Sequence, residues 1–311
     1  MSPGHIVPAQ KRKNVFVARI VDARPKDDIA SMEIPIFALR AGDHHIRTYS
    51  RNGITATVLP GATGCATIHD KDLWIYCASQ LTEAANRGGE ISPTVQFTAF
   101  DFLRATERGT CGRAYQRLAT MLRRLSGTRI ETNIETGGQR CLRGFGLIDS
   151  WRVVEKSPGD DRMVAIEVEL SAWLYRSIQA KQVLTLNNEY FQIRRPIDRR
   201  LYEIARKHCG AQRRWVISLP VLHDKSGSAS SLREFRRQVK ELATNGTLPD
   251  YLVTFDSKRD MVTFYASGPK GKQAEAQDVL RGRPATSKQS RERAHAKAVR
   301  KRPQSSGGAC G

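Results

Sequence analysis

No apolar run in these 311 residues approaches the roughly 20 that a membrane-spanning helix requires, so no passage through a bilayer is expected. The basic start at Lys11, Arg12 and Lys13 is not followed by an apolar stretch of signal-peptide length, and the expected location is cytoplasmic. Six cysteines, Cys65, Cys77, Cys111, Cys141, Cys209 and Cys310, include no Cys-x-x-Cys pair and no matched spacing. That argues against a zinc or disulfide framework and leaves reduced thiols as the reading. His208 beside Cys209 has no second pair to answer it, so no metal and no other cofactor is expected.

Catalytic signatures are equally scarce. The phosphate loop GxxxxGK[ST] is missing: GATG at Gly61 lacks the lysine and GPKGK at Gly268 has the wrong spacing, which argues against nucleotide hydrolysis. His44 and His45 are adjacent, so in a strand they would point to opposite faces and could not share a metal. Tyr202 with Lys207 could imitate a strand-transfer tyrosine and its helper base, but Tyr202 reads as well as a core-edge aromatic. The expectation is a binding protein rather than an enzyme.

Acidic side chains are outnumbered, 31 against 51 Lys and Arg, for a formal net charge of +20. Such an excess attracts a polyanion, most often nucleic acid. Part of it lies from Gly268 onward, where basic residues are spaced by Gly, Ser, Ala and Gln with too few apolar residues for a core. A disordered basic tail over 268–311 is therefore expected. Residues 1–30 are polar and contain proline, which suggests a partly disordered arm, with Val15 to Val21 as a strand or partner-binding segment.

What is present is one unit that occurs twice: a short helix opened by Ser or Thr, an amphipathic helix with a basic outer face, then a β-hairpin. The apolar seams of the second helices are Tyr115, Leu118, Leu122, Leu125 and Leu232, Phe235, Val239, Leu242, in one shared spacing. Such spacing is a single buried stripe of a helix, and the Gly of the following Gly127-Thr128 and Gly246-Thr247, just past the helix end, is expected to supply a left-handed C-cap. Thr98 with Asp101 opens the short helix of the first copy, Ser218 with Pro220 that of the second, and Ser231 with Glu234 forms a capping box. The expected fold is α+β: two tandem winged-helix domains, 31–180 and 181–267, each a helix-turn-helix with a hairpin wing.

Other elements follow from periodicity and punctuation. PIFAL and ITATVL read as strands around the polar loop AGDHHIRTYSRNG, and Asp70 reads as the N-cap of a scaffold helix with one apolar face, ending at Gly88-Gly89. RIETNI, LRGFGLIDSWRVV and RMVAIEVEL read as a meander serving as the wing. Ser171 to Gln179 reads as a helix, LTLNNEYFQI as extended, Pro196 as the start of another helix, and LHDKSGSAS as a loop.

A helix that enters the major groove presents the face outside its seam. In the first copy that face holds Arg113, Gln116, Arg117, Thr120, Arg123 and Arg124; in the second it holds Arg233, Arg236, Arg237 and Lys240, with Ser231 at its start. Arginine can bond guanine through two hydrogen bonds, which makes these residues candidates for base reading, with later positions meeting phosphate. Arg199, Arg200, Arg213 and Arg214 flank the second module as candidate phosphate grips. Two modules reading adjacent grooves call for a site of roughly 20 base pairs, met as direct repeats.

Three long blocks carry a resemblance: PIFALRAGDHHIRTYSRNGITATVLP from Pro35, GCATIHDKDLWIYCASQLTEAANRG from Gly64, and RRPIDRRLYEIARKHCG from Arg194 with WVISLPVLHDKSGS after it. From about Ile29 to Ser267 the chain resembles the replication initiator protein A family of bacterial plasmids. The resemblance implies tandem winged-helix domains that bind repeated duplex sites at a plasmid origin and open neighbouring DNA. It also implies recruitment of the host initiator ATPase and replicative helicase, homodimer formation, and repression of the initiator's own promoter. The competing class is a dimeric winged-helix transcriptional repressor that binds a palindrome and never melts DNA.

Overall fold

The computed structural model describes residues 14–51, 53–133, 143–157, 160–245 and 248–284. The fold is α+β, in two compact units: Ile36–Phe191 with the chain up to Ser31, and Met32–Pro35 with the chain from Gln192 onward. The division falls eleven residues later than expected, and the short segment Met32–Pro35 departs from its neighbours to join the second unit. No helix among the described residues is long and apolar enough to cross a membrane.

The first unit is built around α2 (Asp72–Asn86), which follows β1 (Val15–Val17), β2 (Lys26–Asp28), the short α1 (Ile29–Glu33), β3 (Arg47–Arg51) and β4 (Ile54–Leu59). Twelve of the fifteen residues of α2 are buried, from Leu73 and Trp74 to Gln80 and Leu81, so this helix is covered all round rather than along one face. Each large apolar side chain sealed there contributes about 1.5–3 kcal/mol. Trp74 packs edge-on against Phe37, with ring centroids 5.4 Å apart, and donates its indole N–H to the Leu147 carbonyl. Asp70 does not cap α2: its carboxylate accepts from the Thr67 backbone N–H, and Lys71 holds the cap position.

β5 (Thr94–Phe97), α3 (Ala99–Ala105), α4 (Gly112–Gly127), β6 (Arg129–Thr132), β7 (Arg143–Gly146), β8 (Ile148–Ser157), β9 (Asp160–Leu170), α5 (Ala172–Gln179) and β10 (Val183–Thr185) complete this unit. One sheet has the order β1-β5-β9-β8, another β3-β4-β6-β7, and β2 pairs with β10. The expected meander is therefore split: RIET and RGFG join the sheet of β3 and β4, and only β8 and β9 form the hairpin beside β5. PIFAL is not a strand, Ala38 making a single bridge to Thr67, whereas RTYSR, expected to be loop, is β3. LTLNNEYFQI is extended only in β10; the Asn187 side chain then accepts from Glu189 N–H and starts a 3₁₀ turn over Asn188–Gln192.

The second unit runs α6 (Pro196–His208), β11 (Arg214–Ser218), α7 (Leu219–Ser226), α8 (Leu232–Asn245), β12 (Tyr251–Asp256), β13 (Met261–Ala266) and α9 (Pro269–Leu280). Its sheet has the order β11-β13-β12. The helix–strand–helix–helix–strand–strand order α6-β11-α7-α8-β12-β13 repeats α2-β5-α3-α4-β8-β9, with β6 and β7 inserted, and the strand orders β5-β9-β8 and β11-β13-β12 correspond. The internal repeat is thus longer than the sequence pattern showed, by one helix and one strand at its start. LHDKS, expected in a loop, completes α7, which Gly227 ends in the left-handed conformation at φ +68°.

The expected tail is partly folded. Helix α9 packs against β13, burying Gly271, Ala274, Glu275 and Asp278; residues 285–311, like Gly246-Thr247 and residues 1–13, lie outside the described residues. Asp278 anchors the helix, accepting from Arg214, Arg283 and the Tyr265 hydroxyl. Burial works to raise its pKa, but the bonds from Arg214 and Tyr265 outweigh it and hold the carboxyl below its ordinary value. Asp278→Ala should therefore lower stability by about 3 kcal/mol in urea unfolding near neutral pH. A carboxyl depressed by folding stabilises fully above its unfolded pKa and loses that contribution as pH falls through the folded value, so the deficit should shrink below about pH 4.

Candidate nucleic-acid interface

The first half of the candidate interface is the pair α3 and α4. Thr98 opens α3 by accepting from the Asp101 N–H at 3.0 Å while its hydroxyl donates to the Asp101 carboxylate at 2.6 Å. Glu107, at φ +52°, lies in the turn before α4. Helix α4 buries Leu118, Met121, Leu122 and Leu125 and leaves Tyr115 half-buried, which fixes its rotation. Gly127 is its last residue and not a left-handed cap; the extended Thr128 ends the helix, its hydroxyl donating to the Arg124 carbonyl.

With that seam inward, Arg113, Gln116, Arg117 and Arg123 are exposed and Thr120 is half-buried, its hydroxyl donating to the Gln116 carbonyl. The helix has no Asp or Glu, and the guanidiniums of Arg113, Arg117 and Arg123 make no hydrogen bond or ion pair among the described residues. Arg124 departs from the expectation. Its guanidinium makes two 2.7 Å bonds to the buried Asp70 carboxylate, a pairing that raises its pKa and ties α4 to the loop before α2.

The second half is α7 and α8, where Ser231 caps α8 by accepting from the Glu234 N–H at 3.3 Å. Phe235, Val239 and Leu242 are buried, while Arg233, Arg237 and Lys240 are exposed and Arg236 is half-buried. Here the positive charge is largely answered. Arg237 bonds Glu234 at 2.7 and 2.9 Å and reaches Glu241 at 3.3 Å, and Arg236 forks onto Asp260 at 2.8 and 3.0 Å. These bonds raise the pKa of both arginines, and those from Arg237 and Arg236 lower the pKa of Glu234 and Asp260 respectively. Lys240 lies 5.7 Å from the Phe255 ring centre, and the Arg233 guanidinium makes no hydrogen bond or ion pair among the described residues. Exposed pairs of this kind hold weakly and can exchange for a stronger anion.

The hairpin joining β12 and β13 adds two cations that the sequence reading passed over. Asp256 accepts from the backbone N–H groups of Lys258 and Arg259, and both side chains are exposed at the tip. The motif DSKRD carried the signal, as basic residues in a turn between two strands.

Four candidate phosphate grips lie elsewhere. Arg199 and Arg200 are each 2% exposed. Arg199 donates to the Ile193 carbonyl, and Arg200 reaches Glu203 and the carbonyls of Glu33 and Lys225, so both bind α6 into its own unit. Arg214 faces Asp278, and Arg213 stands beside it at the start of β11. Tyr202 is fully buried and donates to Asp250, while Lys207 is held by Glu33, so this pair is not assembled as a nucleophile and its base.

The model for Replication initiator protein A matches residues 26–253. The chain belongs to the replication initiator protein A family. A protein of Wigglesworthia glossinidia brevipalpis named "Putative replication protein" is 42% identical over 258 residues, covering 82% of this chain and 94% of its own length. Among solved structures, domains 2 and 3 of RctB match 78% of this chain and 97% of theirs at 12% identity and a TM-score of 0.53. A second structure of those domains, RctB 155–483, gives a TM-score of 0.51 at 11% identity, covering 79% of this chain and 99% of its own. At such identities the likeness is one of fold.

Arg124→Met tests the structural reading of that residue. Removing one partner of a buried pair should cost about 3 kcal/mol in thermal unfolding. The salt dependence of DNA binding should stay unchanged; a shallower slope would return Arg124 to the DNA-facing set.

Proposed function

We propose that this protein is a plasmid replication initiator whose two units are tandem winged-helix domains that bind directly repeated duplex sites at the origin. The observation that carries the reading is α4: a helix-turn-helix second helix with three exposed arginines, no acid, and no competing partner among the described residues. The DNA-facing set is Arg113, Gln116, Arg117, Thr120 and Arg123 on α4, and Ser231, Arg233, Arg236, Arg237 and Lys240 on α8. Lys258 and Arg259 at the hairpin tip join it as phosphate contacts.

The two helices divide the work. Helix α4 supplies standing attraction, since Arg113, Arg117 and Arg123 give up only water to meet DNA. On α8, Arg237 must leave Glu234 and Glu241, so binding there is exchange and depends more on geometry than on net charge. Several chains on adjacent repeats bend or underwind the duplex and strain a neighbouring A·T-rich tract, which opens it without nucleotide hydrolysis. Recruitment of the host initiator ATPase and helicase to the opened tract, homodimer formation and repression of the chain's own gene complete the reading.

Arg117→Ala should weaken binding to the selected site by about 1–3 kcal/mol and binding to random duplex by less. Arg237→Ala should weaken it less than Arg117→Ala does, because the lost contact was already contested. Competition titrations at fixed salt measure both, and equal losses on specific and random DNA would reduce Arg117 to a phosphate contact. For opening, permanganate footprinting on a supercoiled origin should reveal unpaired thymines beside the repeats when protein is bound. Their absence, with a lone palindrome as the selected site, would favour the dimeric repressor.

A further inference from the structure

Arg214, the first residue of β11, belongs to the side of the sheet turned away from α8. Side chains alternate across a strand, and residues paired across strands share a face. Trp215, Tyr251 and Phe255 face α6 and α8: Trp215 stacks on His208 with centroids 4.8 Å apart, Tyr251 meets Tyr202 at 5.9 Å, and Lys240 lies over Phe255. Arg214 and its cross-strand partner Tyr265 point the other way, and both bond Asp278 of α9. Helix α9 therefore covers the opposite face of the sheet from the helix-turn-helix.

Between α9 and the start of β11 lies a cleft of about 470 Å³ lined by Gln212, Arg213, Arg214, Ala274, Gln277 and Arg281. Asp278 is shared by Arg214 and Arg283, while the side chains of Arg213 and Arg281 are exposed and make no hydrogen bond or ion pair among the described residues. The cleft thus holds surplus guanidinium charge with two side-chain amides as further donors. Arg214 also lies four residues along β11 from Ser218, the residue paired with Met261 beside the hairpin tip, a separation of about 13 Å.

We propose that this cleft binds a carboxylate-rich segment of a partner protein while duplex DNA occupies the α8 side. Two unanswered guanidiniums are forks matched to carboxylates, and the Asp278 anchor holds Arg214 ready beside them. A duplex seated on α8 and the hairpin tip would have to wrap around the sheet to reach the cleft, which leaves protein carboxylates as the occupant. The proposal rests on the reading of α8 as DNA-facing, and it assigns the folded part of the C-terminal segment a task of its own.

The probe is a fluorescein-labelled twelve-residue peptide of Glu, Asp and Gly, titrated by anisotropy with the full chain near physiological salt, free and saturated with its selected duplex. Binding should persist on the duplex-bound protein, and Arg213→Gln with Arg281→Gln should raise Kd about tenfold. Neutralising two exposed arginines of the first unit, Arg40→Gln with Arg129→Gln, should leave Kd within about twofold. Equal losses in both pairs, or no peptide binding, would overturn the proposal as general charge attraction. Displacement of the peptide by duplex, with weaker duplex binding in the Arg213/Arg281 variant, would overturn it in favour of a phosphate site. If Arg233→Gln with Arg236→Gln leaves duplex binding intact while peptide binding keeps its pattern, the α8 reading falls and the cleft stands.

Discussion

Burial of an apolar seam sets the rotation of α4 and α8, and every other property of the candidate interface depends on it. Leu118, Leu122 and Leu125 on one helix, and Phe235, Val239 and Leu242 on the other, are withdrawn from water almost completely. A helix has one stripe at that spacing, so once the stripe is inward the opposite side is settled without any reference to DNA. Rotation by one position would expose a Leu and bury a guanidinium, at a cost of several kcal/mol. The arginines face outward because the leucines face inward.

Which arginines stay available is a separate matter, decided on α8 partly by Glu234 and Glu241 beside Arg237 and elsewhere by carboxylates far away in sequence. Asp70 claims Arg124 across 54 residues, Asp260 claims Arg236 across 24, and Asp278 claims Arg214 across 64. The densest case is Glu33, which accepts from Lys207, Lys225 and His208. Burial opposes its charge, yet the bonds from His208, Lys207 and Lys225 hold the carboxyl well below its ordinary range. This pins Met32–Pro35 to the second unit, while in the basic run RRPIDRR Arg199 and Arg200 are interior cross-links to backbone carbonyls where surface charge was expected. Net charge overstates the polyanion-binding surface, since a guanidinium inside an ion pair attracts little at a distance.

The two units use one topology with different electrostatics. In the first, an acid-free helix leaves its charge open, and the β6–β7 insertion completes a second sheet. In the second, Glu234 and Glu241 share the helix with its arginines, and α9 closes the back of a three-stranded sheet. Related folds of this kind can serve one ligand on unequal terms, one unit by attraction and the other by fit.

Periodicity and punctuation were enough to read the helix starts at Thr98, Ser171, Pro196 and Ser231, the stop at Gly127, the hairpin YLVTF/MVTFY, both apolar seams and the doubled unit, because each is written within a few neighbouring residues. The family was legible as well, in blocks long enough to compare. The partition of RIETNI and RGFG into a separate sheet, RTYSR as a strand, α9 in place of a tail, and the fates of Arg124, Arg199, Arg200 and Arg214 were not. Strand partners and hydrogen-bond partners are chosen by proximity in the folded chain, and a local pattern holds no record of a carboxylate or carbonyl dozens of residues away. The sequence settles which side of a helix can be basic; folding settles which of those charges remain free to meet a partner.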